Sequence, residues 1–210
     1  MIKILITDDH PIVRQGIRQI LEDDKFQRFG QIEEAVNGKE LLEKIKSAFF
    51  DVILLDISLP GRSGLEILGE VKKIARTSAV LILSIYPEEQ YAIRAIKLGA
   101  SGYLNKASAP EELIEAIIKV SEGGRYLTSS LTESITINFF NDDKPLGDKL
   151  SIRELEVITL LAEGKTLSNI ATDLSLSPKT ISTYRERILA KLNLKTTSDI
   201  IRFAIKEGLV

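Results

Sequence analysis

The chain has 210 residues, 44% of them hydrophobic and 28% charged, with a formal net charge of −2. That length exceeds one minimal domain and suits two small ones, and the apolar share fills cores without approaching that of a membrane protein. Cysteine is absent and His10 is the single histidine, which excludes disulfides, thiolate metal sites, cysteine nucleophiles and histidine-pair metal sites, and leaves little room for a histidine-based triad. The charge is unevenly spread: residues 1–122 hold more Asp and Glu than Lys and Arg, whereas 150–210 hold the reverse. The opening apolar run, 2–7, is too short for a signal peptide and ends in acids, and no stretch reaches the length of a membrane helix, so a cytoplasmic protein is expected, with no membrane partner.

Residues 1–122 alternate short β runs with amphipathic helical runs. Strands are predicted at 2–7, 30–35, 52–56, 79–84 and 102–105, and helices at 11–21, 39–47, 64–74, 88–98 and 110–122. Three of the β runs are continuously apolar, the mark of strands buried on both faces. In the last helix Leu113, Ile114, Ile117, Ile118 and Val120 form a stripe at helical spacing. The alternation predicts βαβ units and a flavodoxin-like α/β fold, with a doubly wound, five-stranded parallel sheet.

In such a sheet, chemistry collects beyond the carboxyl ends of the strands. There the sequence puts Asp8 and Asp9 after the first strand, Asp56 on the third, Ser84 on the fourth and Lys106 after the fifth. Singly, each has an ordinary explanation: a strand-end aspartate is usually a turn former, Asp9 can cap the helix at Pro11, and a lysine is usually solvated. Together they make an acidic cluster that repels itself until a cation joins it, and all-oxygen ligation with little caging suits Mg²⁺. Phosphoryl transfer to a carboxylate needs such a set: a nucleophile, a metal and a fixed positive charge. Asp56, at the end of the apolar run 52–55, is the nucleophile this predicts, with Lys106 pairing with the phosphoryl group and Ser84 hydrogen-bonding it. His10 is read as structural or solvent-facing.

Gly123-Gly124 ends the block, and 123–149 reads as a polar linker with a short helix around 131–140. From Leu150 the pattern is all helical. Ser151 and Glu154 form a capping box for a helix that stops at Gly164. Thr166 caps a short second helix, and Ser177-Pro178 starts a third that runs to about Leu192. A fourth spans 197–207. Only Ser175, Leu176 and Ser177 separate the second and third helices, the length of a helix-turn-helix corner. The third helix carries Lys179, Arg185, Arg187 and Lys191 against one acid, Glu186, while Ile181, Ile188, Leu189 and Leu192 face the core. Its other face fits the major groove, with the cations on phosphates and Ser182, Thr183 and Glu186 toward base edges. A solvated charged face is the usual fate of such a run; the helix-turn-helix spacing and its caps favour DNA.

Two segments resemble known families. Residues 1–122 resemble the receiver domain of two-component response regulators, on Asp8-Asp9, the segment 56–64, Ser84, the segment 99–103 and Lys106. The resemblance implies that Asp56 accepts a phosphoryl group from a sensor histidine kinase. It implies Mg²⁺, with Mn²⁺ as a substitute, held by Asp9, Asp56 and the backbone carbonyl of Ser58, with Asp8 acting through water. It also implies a switch pair in which the Ser84 hydroxyl moves to the phosphoryl group and the Tyr103 ring turns inward. Ala107 departs from the proline that often follows the lysine. Residues 150–210 resemble the LuxR-type helix-turn-helix of the NarL/FixJ subfamily, on the segments 150–157, 161–166, Ile170-Ala171, 176–181, Ile188 and Lys191-Leu192. This implies binding to double-stranded DNA, with Thr180 added to the contacting set above. It implies dimerisation on phosphorylation through the fourth helix, at Ile200, Ile201, Phe203 and Ala204, and RNA polymerase as a further partner. Tyr184 stands where members often have histidine and is expected to pack.

Two other functions compete with this one. An aspartyl-phosphate hydrolase of the haloacid-dehalogenase type needs a second acid two residues after the nucleophile, where this chain has Ser58, and a substrate cap that has no counterpart here. A constitutive DNA binder with a relic receiver would not need the intact set of acids, Ser84 and Lys106. The expectation is therefore a transcription regulator rather than a metabolic enzyme.

Overall fold

The computed structural model describes residues 1–86, 88–128 and 150–209. The apolar strand runs form one parallel sheet in the order β2-β1-β3-β4-β5: β1 (Ile2–Thr7), β2 (Phe29–Ala35), β3 (Val52–Asp56), β4 (Ala79–Ser84) and β5 (Gly102–Asn105). Every pairing is parallel, and the register sets Thr7 beside Leu55 and Ser84 beside Asn105, so the strands end together along one edge. Four helices connect successive strands, α1 (Pro11–Glu22), α2 (Gly38–Ser47), α3 (Gly64–Ile74) and α4 (Glu88–Lys97), and α5 (Pro110–Ser121) follows β5. Parallel strands require such crossovers, which cover both faces.

Alternation assigns each strand residue to one face. Ile4, Ile6, Val52, Leu54, Leu81 and Leu83 pack with Ile17 and Leu21 of α1 and with Leu113, Ala116, Ile117 and Val120 of α5. The alternate set, Leu5, Ile53, Leu55, Val80 and Ile82, is equally buried and faces the opposite layer. The element boundaries lie within a residue of those expected. Helix α2 starts one residue earlier than expected, at Gly38, because the Asn37 side chain accepts the Glu40 N–H at 2.9 Å. Beyond α5, Tyr126 forms a parallel bridge to Gly102 at the β5 edge, where a Cβ on Gly102 would lie 2.7 Å from the Tyr126 carbonyl oxygen.

The chain divides into two compact units, Met1–Ile135 and Thr136–Val210. The helix expected around 131–140 lies outside the described residues. The second unit contains α6 (Ile152–Ala162), α7 (Leu167–Asp173), α8 (Pro178–Leu192) and α9 (Thr197–Lys206). Each begins at the cap its sequence offers: Ser151 accepts from Glu154 N–H, Thr166 from Asn169 N–H, Ser177 from Thr180 N–H and Thr196 from Asp199 N–H. Ser175 takes a positive φ of 52° at the corner between α7 and α8, and Asn193 ends α8 in the left-handed region. Among the described residues no helix is long and apolar enough to cross a membrane.

Two glycines of α3 separate close approach from helix propensity. A Cβ on Gly64 would stand 1.9 Å from the Asp56 carbonyl oxygen, whereas one on Gly69 meets nothing within 4 Å. Gly64→Ala is expected to cost about 1–3 kcal/mol through backbone displacement. Gly69→Ala is expected to gain roughly 0.5–1 kcal/mol. Urea denaturation of both variants checks this; the same sign for both would refute the contrast.

Candidate functional site: an acidic cluster and a helix-turn-helix

The strand ends bring Asp8, Asp56 and Lys106 into contact. Asp8 and Asp56 are closed off from water, and the Lys106 ammonium lies 2.6 Å from Asp8 Oδ2 and 2.8 Å from Asp56 Oδ2. The two carboxylates thus share one ammonium, in contacts as short as charge-assisted hydrogen bonds. Ligand atoms of Asp8, Asp9, His10 and Asp56 all fall within 4.8 Å of one another. One ammonium cannot neutralise three carboxylates, so the cluster keeps an excess of negative charge and buried oxygens turned inward. Both properties fit a divalent cation held by oxygen.

His10 is solvent-facing, as expected, and also borders this cluster. Its ring remains largely exposed, yet Nδ1 is 3.1 Å from Asp8 Oδ1 and 2.9 Å from Asp9 Oδ1. Its backbone N–H also donates to Asp8 Oδ1 at 2.8 Å. Asp56 Oδ1 accepts the Ser58 N–H at 3.1 Å. Burial is the main influence on Asp56 and, with the Asp8 charge, outweighs Lys106 to push its carboxyl up to about 6. Burial works against the Lys106 ammonium, but Asp56 and Asp8 hold its pKa above the ordinary lysine value.

Ser84 and Tyr103 meet at the backbone of Tyr86. Ser84 Oγ accepts the Tyr86 N–H at 3.0 Å, and the buried Tyr103 hydroxyl donates to the Tyr86 carbonyl at 2.9 Å. The Tyr103 ring therefore lies inward. The Tyr86 ring stacks on Tyr91 of α4 with centroids 4.9 Å apart. Arg14 is a contributor that the sequence reading missed: Nη1 donates to the Asp8 carbonyl at 2.8 Å while Nε pairs with Glu34 at 2.9 Å. Arg14 and Arg18, one turn apart on α1 and opposite the acids ending β2, were the available signal.

In the second unit Lys179, Thr183, Glu186 and Arg187 are exposed along α8, with Thr180 and Ser182 half-buried beside them. Two of the cations expected on this helix have partners inside the unit. Lys191 Nζ is 2.6 Å from Glu154, and Arg185 Nε donates to Thr197 Oγ1 at 2.7 Å. Burial opposes ionisation of Glu154, but its bonds from Lys191 and Ser151 hold it below the usual glutamate value. Ile181 and Ile188 are buried, and Tyr184 is half-buried with the Arg187 guanidinium 6.0 Å from its ring centre. Helix α9 differs from the outward face expected of it. Ile200 and Ala204 are fully buried, because α9 packs on α6 as part of the unit's own core; Ile201 and Phe203 are half-buried and Ile205 is exposed.

Comparison with known proteins agrees with this architecture. The family model for the response regulator receiver domain matches residues 4–118, and that for bacterial regulatory proteins of the luxR family matches 148–204. The response regulator UvrY of Escherichia coli (strain K12) is 36% identical over all of this chain and 96% of its own length. The response regulator GacA of Pseudomonas aeruginosa is 33% identical over all of this chain and 98% of its own. Among solved structures, RcsB from Salmonella enterica serovar Typhimurium, bound to promoter rprA in the presence of the phosphomimetic BeF3⁻, superposes with a TM-score of 0.64. It is 25% identical, over 96% of this chain and 97% of that one. The response regulator ChrA of a heme-sensing two-component system is 29% identical, with a TM-score of 0.52 over all of this chain and 98% of that one.

The raised Asp56 pKa has a consequence for stability. Its folded value, about 6, exceeds the ordinary 3.8, so the folded state holds the proton more tightly. That contribution is present at low pH and is lost as pH rises through the interval between those values. In chelator, Asp56→Asn should therefore stabilise the protein more at pH 7 than at pH 4, by on the order of 2–3 kcal/mol. Urea denaturation at the two pH values measures the difference; equal effects would contradict it.

Proposed function

The chain belongs to the response regulators of the NarL/FixJ subfamily, in which a receiver domain is joined to a LuxR-type DNA-binding domain, and from that premise we propose that Asp56 is its phosphoacceptor and that phosphorylation drives dimerisation and transcriptional control. The observation that carries this is the convergence of Asp8, Asp9, Asp56 and Lys106 at one sheet edge, with Lys106 2.8 Å from Asp56. We assign residues 1–122 to the receiver, 123–149 to the linker and 150–210 to the DNA-binding domain. The protein acts in the cytoplasm, in a family of transcription regulators rather than metabolic enzymes.

The phosphoryl donor is a phosphohistidine on a sensor kinase. An Asp56 carboxylate oxygen bonds to phosphorus as the P–N bond breaks, and the imidazole nitrogen leaves with the electron pair. Asp9, Asp56 and the Ser58 carbonyl would hold Mg²⁺, with Asp8 acting through water; Mn²⁺ has the same preference for oxygen. When bound, the ion supplies charge neutralisation for the phosphoryl oxygens. Lys106 follows the added charge, and Ser84 exchanges its bond from the Tyr86 N–H for one to the phosphoryl group. Tyr103, already inward, holds Tyr86 from the other side. This raises the share of a state competent to dimerise; the phosphoryl group contributes only its differential stabilisation of that state.

The dimer reads double-stranded DNA at paired half-sites, with α8 in the major groove. Lys179 and Arg187 serve phosphates directly. Lys191 and Arg185 serve them from positions fixed by Glu154 and Thr197. Thr180, Ser182, Thr183 and Glu186 supply the base-facing surface. Ile201 and Phe203, with the exposed Ile205, form the part of α9 open to a partner subunit, and Ile200 and Ala204 support it from beneath. The solved RcsB–DNA complex, whose chain is 25% identical, supports the DNA assignment. RNA polymerase is the further partner in transcription.

A small phosphodonor with Mg²⁺ should add one phosphoryl group to the protein and none to Asp56→Asn, read by intact-mass spectrometry. Equal phosphorylation of the variant would move the acceptor elsewhere.

For α8, Arg187→Ala should weaken binding to all sequences alike and reduce the salt slope by about 0.9. Thr183→Ala should change sequence preference, at a cost of about 1–3 kcal/mol at its base pair. Binding-site selection at two salt concentrations tests the assignment. An unchanged preference for Thr183→Ala would show that another face of α8 meets the bases.

A further inference from the structure

The Asp8-Asp9 turn is held at every backbone and side-chain polar group of Asp8. Its N–H donates to the Ala35 carbonyl at 3.2 Å, and its Oδ1 accepts the His10 N–H at 2.8 Å. Its Oδ2 faces Lys106 at 2.6 Å. The remaining group, the carbonyl oxygen, accepts from Arg14 Nη1 at 2.8 Å. That carbonyl belongs to the peptide plane joining Asp8 to Asp9, so whatever pins it fixes the direction in which the next residue leaves. The next residue is Asp9, whose Oδ1 lies 2.9 Å from His10 Nδ1 and whose carboxylate offers an oxygen to the cluster of potential ligand atoms.

Arg14 is itself held. Only 11% of its side chain is exposed, and Nε pairs with Glu34 Oε2 at 2.9 Å. The other oxygen of Glu34 takes Arg18 Nε at 2.7 Å, and Arg18 also donates to the Ile32 carbonyl at 3.1 Å. Burial opposes ionisation of Glu34, but Arg18 and Arg14 hold its carboxyl below the ordinary value, so it stays a charged anchor. The planar guanidinium suits this post: one edge reaches Glu34 while another nitrogen reaches the carbonyl, a geometry no lysine ammonium reproduces.

Resting on the reading of Asp8, Asp9 and Asp56 as the Mg²⁺ site, we propose that Arg14 is a positioning residue for that site: anchored on Glu34, it orients the Asp8–Asp9 peptide and thereby aims Asp9 at the ion. Arg18 shares the anchor without touching the peptide, and so provides an internal control.

The test is Mg²⁺ titration of the full chain by calorimetry, with thermal stability of the metal-free protein measured in parallel. Loss of an outer partner of a metal ligand typically costs 10–100-fold in affinity. Arg14→Gln is expected to weaken Mg²⁺ binding at least about tenfold, with phosphorylation restored at saturating Mg²⁺. Arg14→Lys, which keeps the charge without the fork, should fall in the same direction. Arg18→Gln, which also breaks a pair with Glu34, should keep wild-type affinity. Should Arg14→Gln not fold, Arg14→Lys and Glu34→Gln carry the measurement, both expected to bind Mg²⁺ more weakly. Wild-type affinity in both Arg14 variants, wild-type affinity in Arg14→Lys alone, or equal losses in Arg14→Gln and Arg18→Gln would each overturn the proposal. Failure of the underlying reading looks different: wild-type protein that binds no Mg²⁺, or Asp9→Ala that binds it undiminished.

Discussion

Lys106 reaches Asp8 and Asp56 at once, at 2.6 and 2.8 Å, and can do so only because three separate strands finish at the same level of one sheet. Burying such a group is costly. Charges lose hydration that their mutual attraction recovers only in good geometry, and an apolar substitute of similar volume is often as stable or more so. Here the charge is also unbalanced, with three carboxylates against one ammonium. A fold selected for stability alone would not keep this arrangement. The cost is intelligible if the cluster awaits a cation and an anion in turn: first a metal to complete the charge, then a phosphoryl group that joins Asp56 and draws Lys106 toward itself.

The receiver was legible because its physics is local in sequence. A strand buried on both faces must be apolar throughout, so 52–55 and 79–83 declare themselves, and the residues ending such runs must face the catalytic edge. Parallel order then converges the acids without any knowledge of distance. What could not be read were contacts made across elements by residues with several ordinary uses. Arg14 and Arg18 look like a solvated pair on an amphipathic helix; only the fold puts Glu34 and the Asp8 carbonyl in front of them. His10 lacked a second histidine, which made it look idle. The structure gives it two carboxylates instead.

The second unit was legible through its punctuation. Ser151, Thr166 and Ser177 announce three of its helices, and caps fix where helices start far better than propensity does; the Thr196 cap of the fourth emerges only in the structure. An apolar stripe, by contrast, reveals that a face is buried and nothing about what buries it. In α9 the stripe serves the unit's own core at Ile200 and Ala204, which pack against α6, and leaves Ile201, Phe203 and Ile205 toward the surface. Charge has the same limit. Lys191 and Glu154 are far apart in sequence, and only folding shows that the carboxylate capping α6 also fixes a cation of α8.

Glu154 therefore links the two jobs of the helix-turn-helix. It completes the capping box of α6 through the Ser151 N–H, and it sets the rotamer of Lys191 on the helix proposed to enter the groove. A cation already ordered loses less side-chain entropy when it meets a phosphate than a free lysine does. Against that gain stands competition, because the phosphate must share the ammonium with a carboxylate. Arg187, with no carboxylate partner among the described residues, trades the other way, meeting a phosphate at full charge but with freedom to lose. The proposed phosphate-contacting set thus mixes cations with and without a carboxylate partner on one helix.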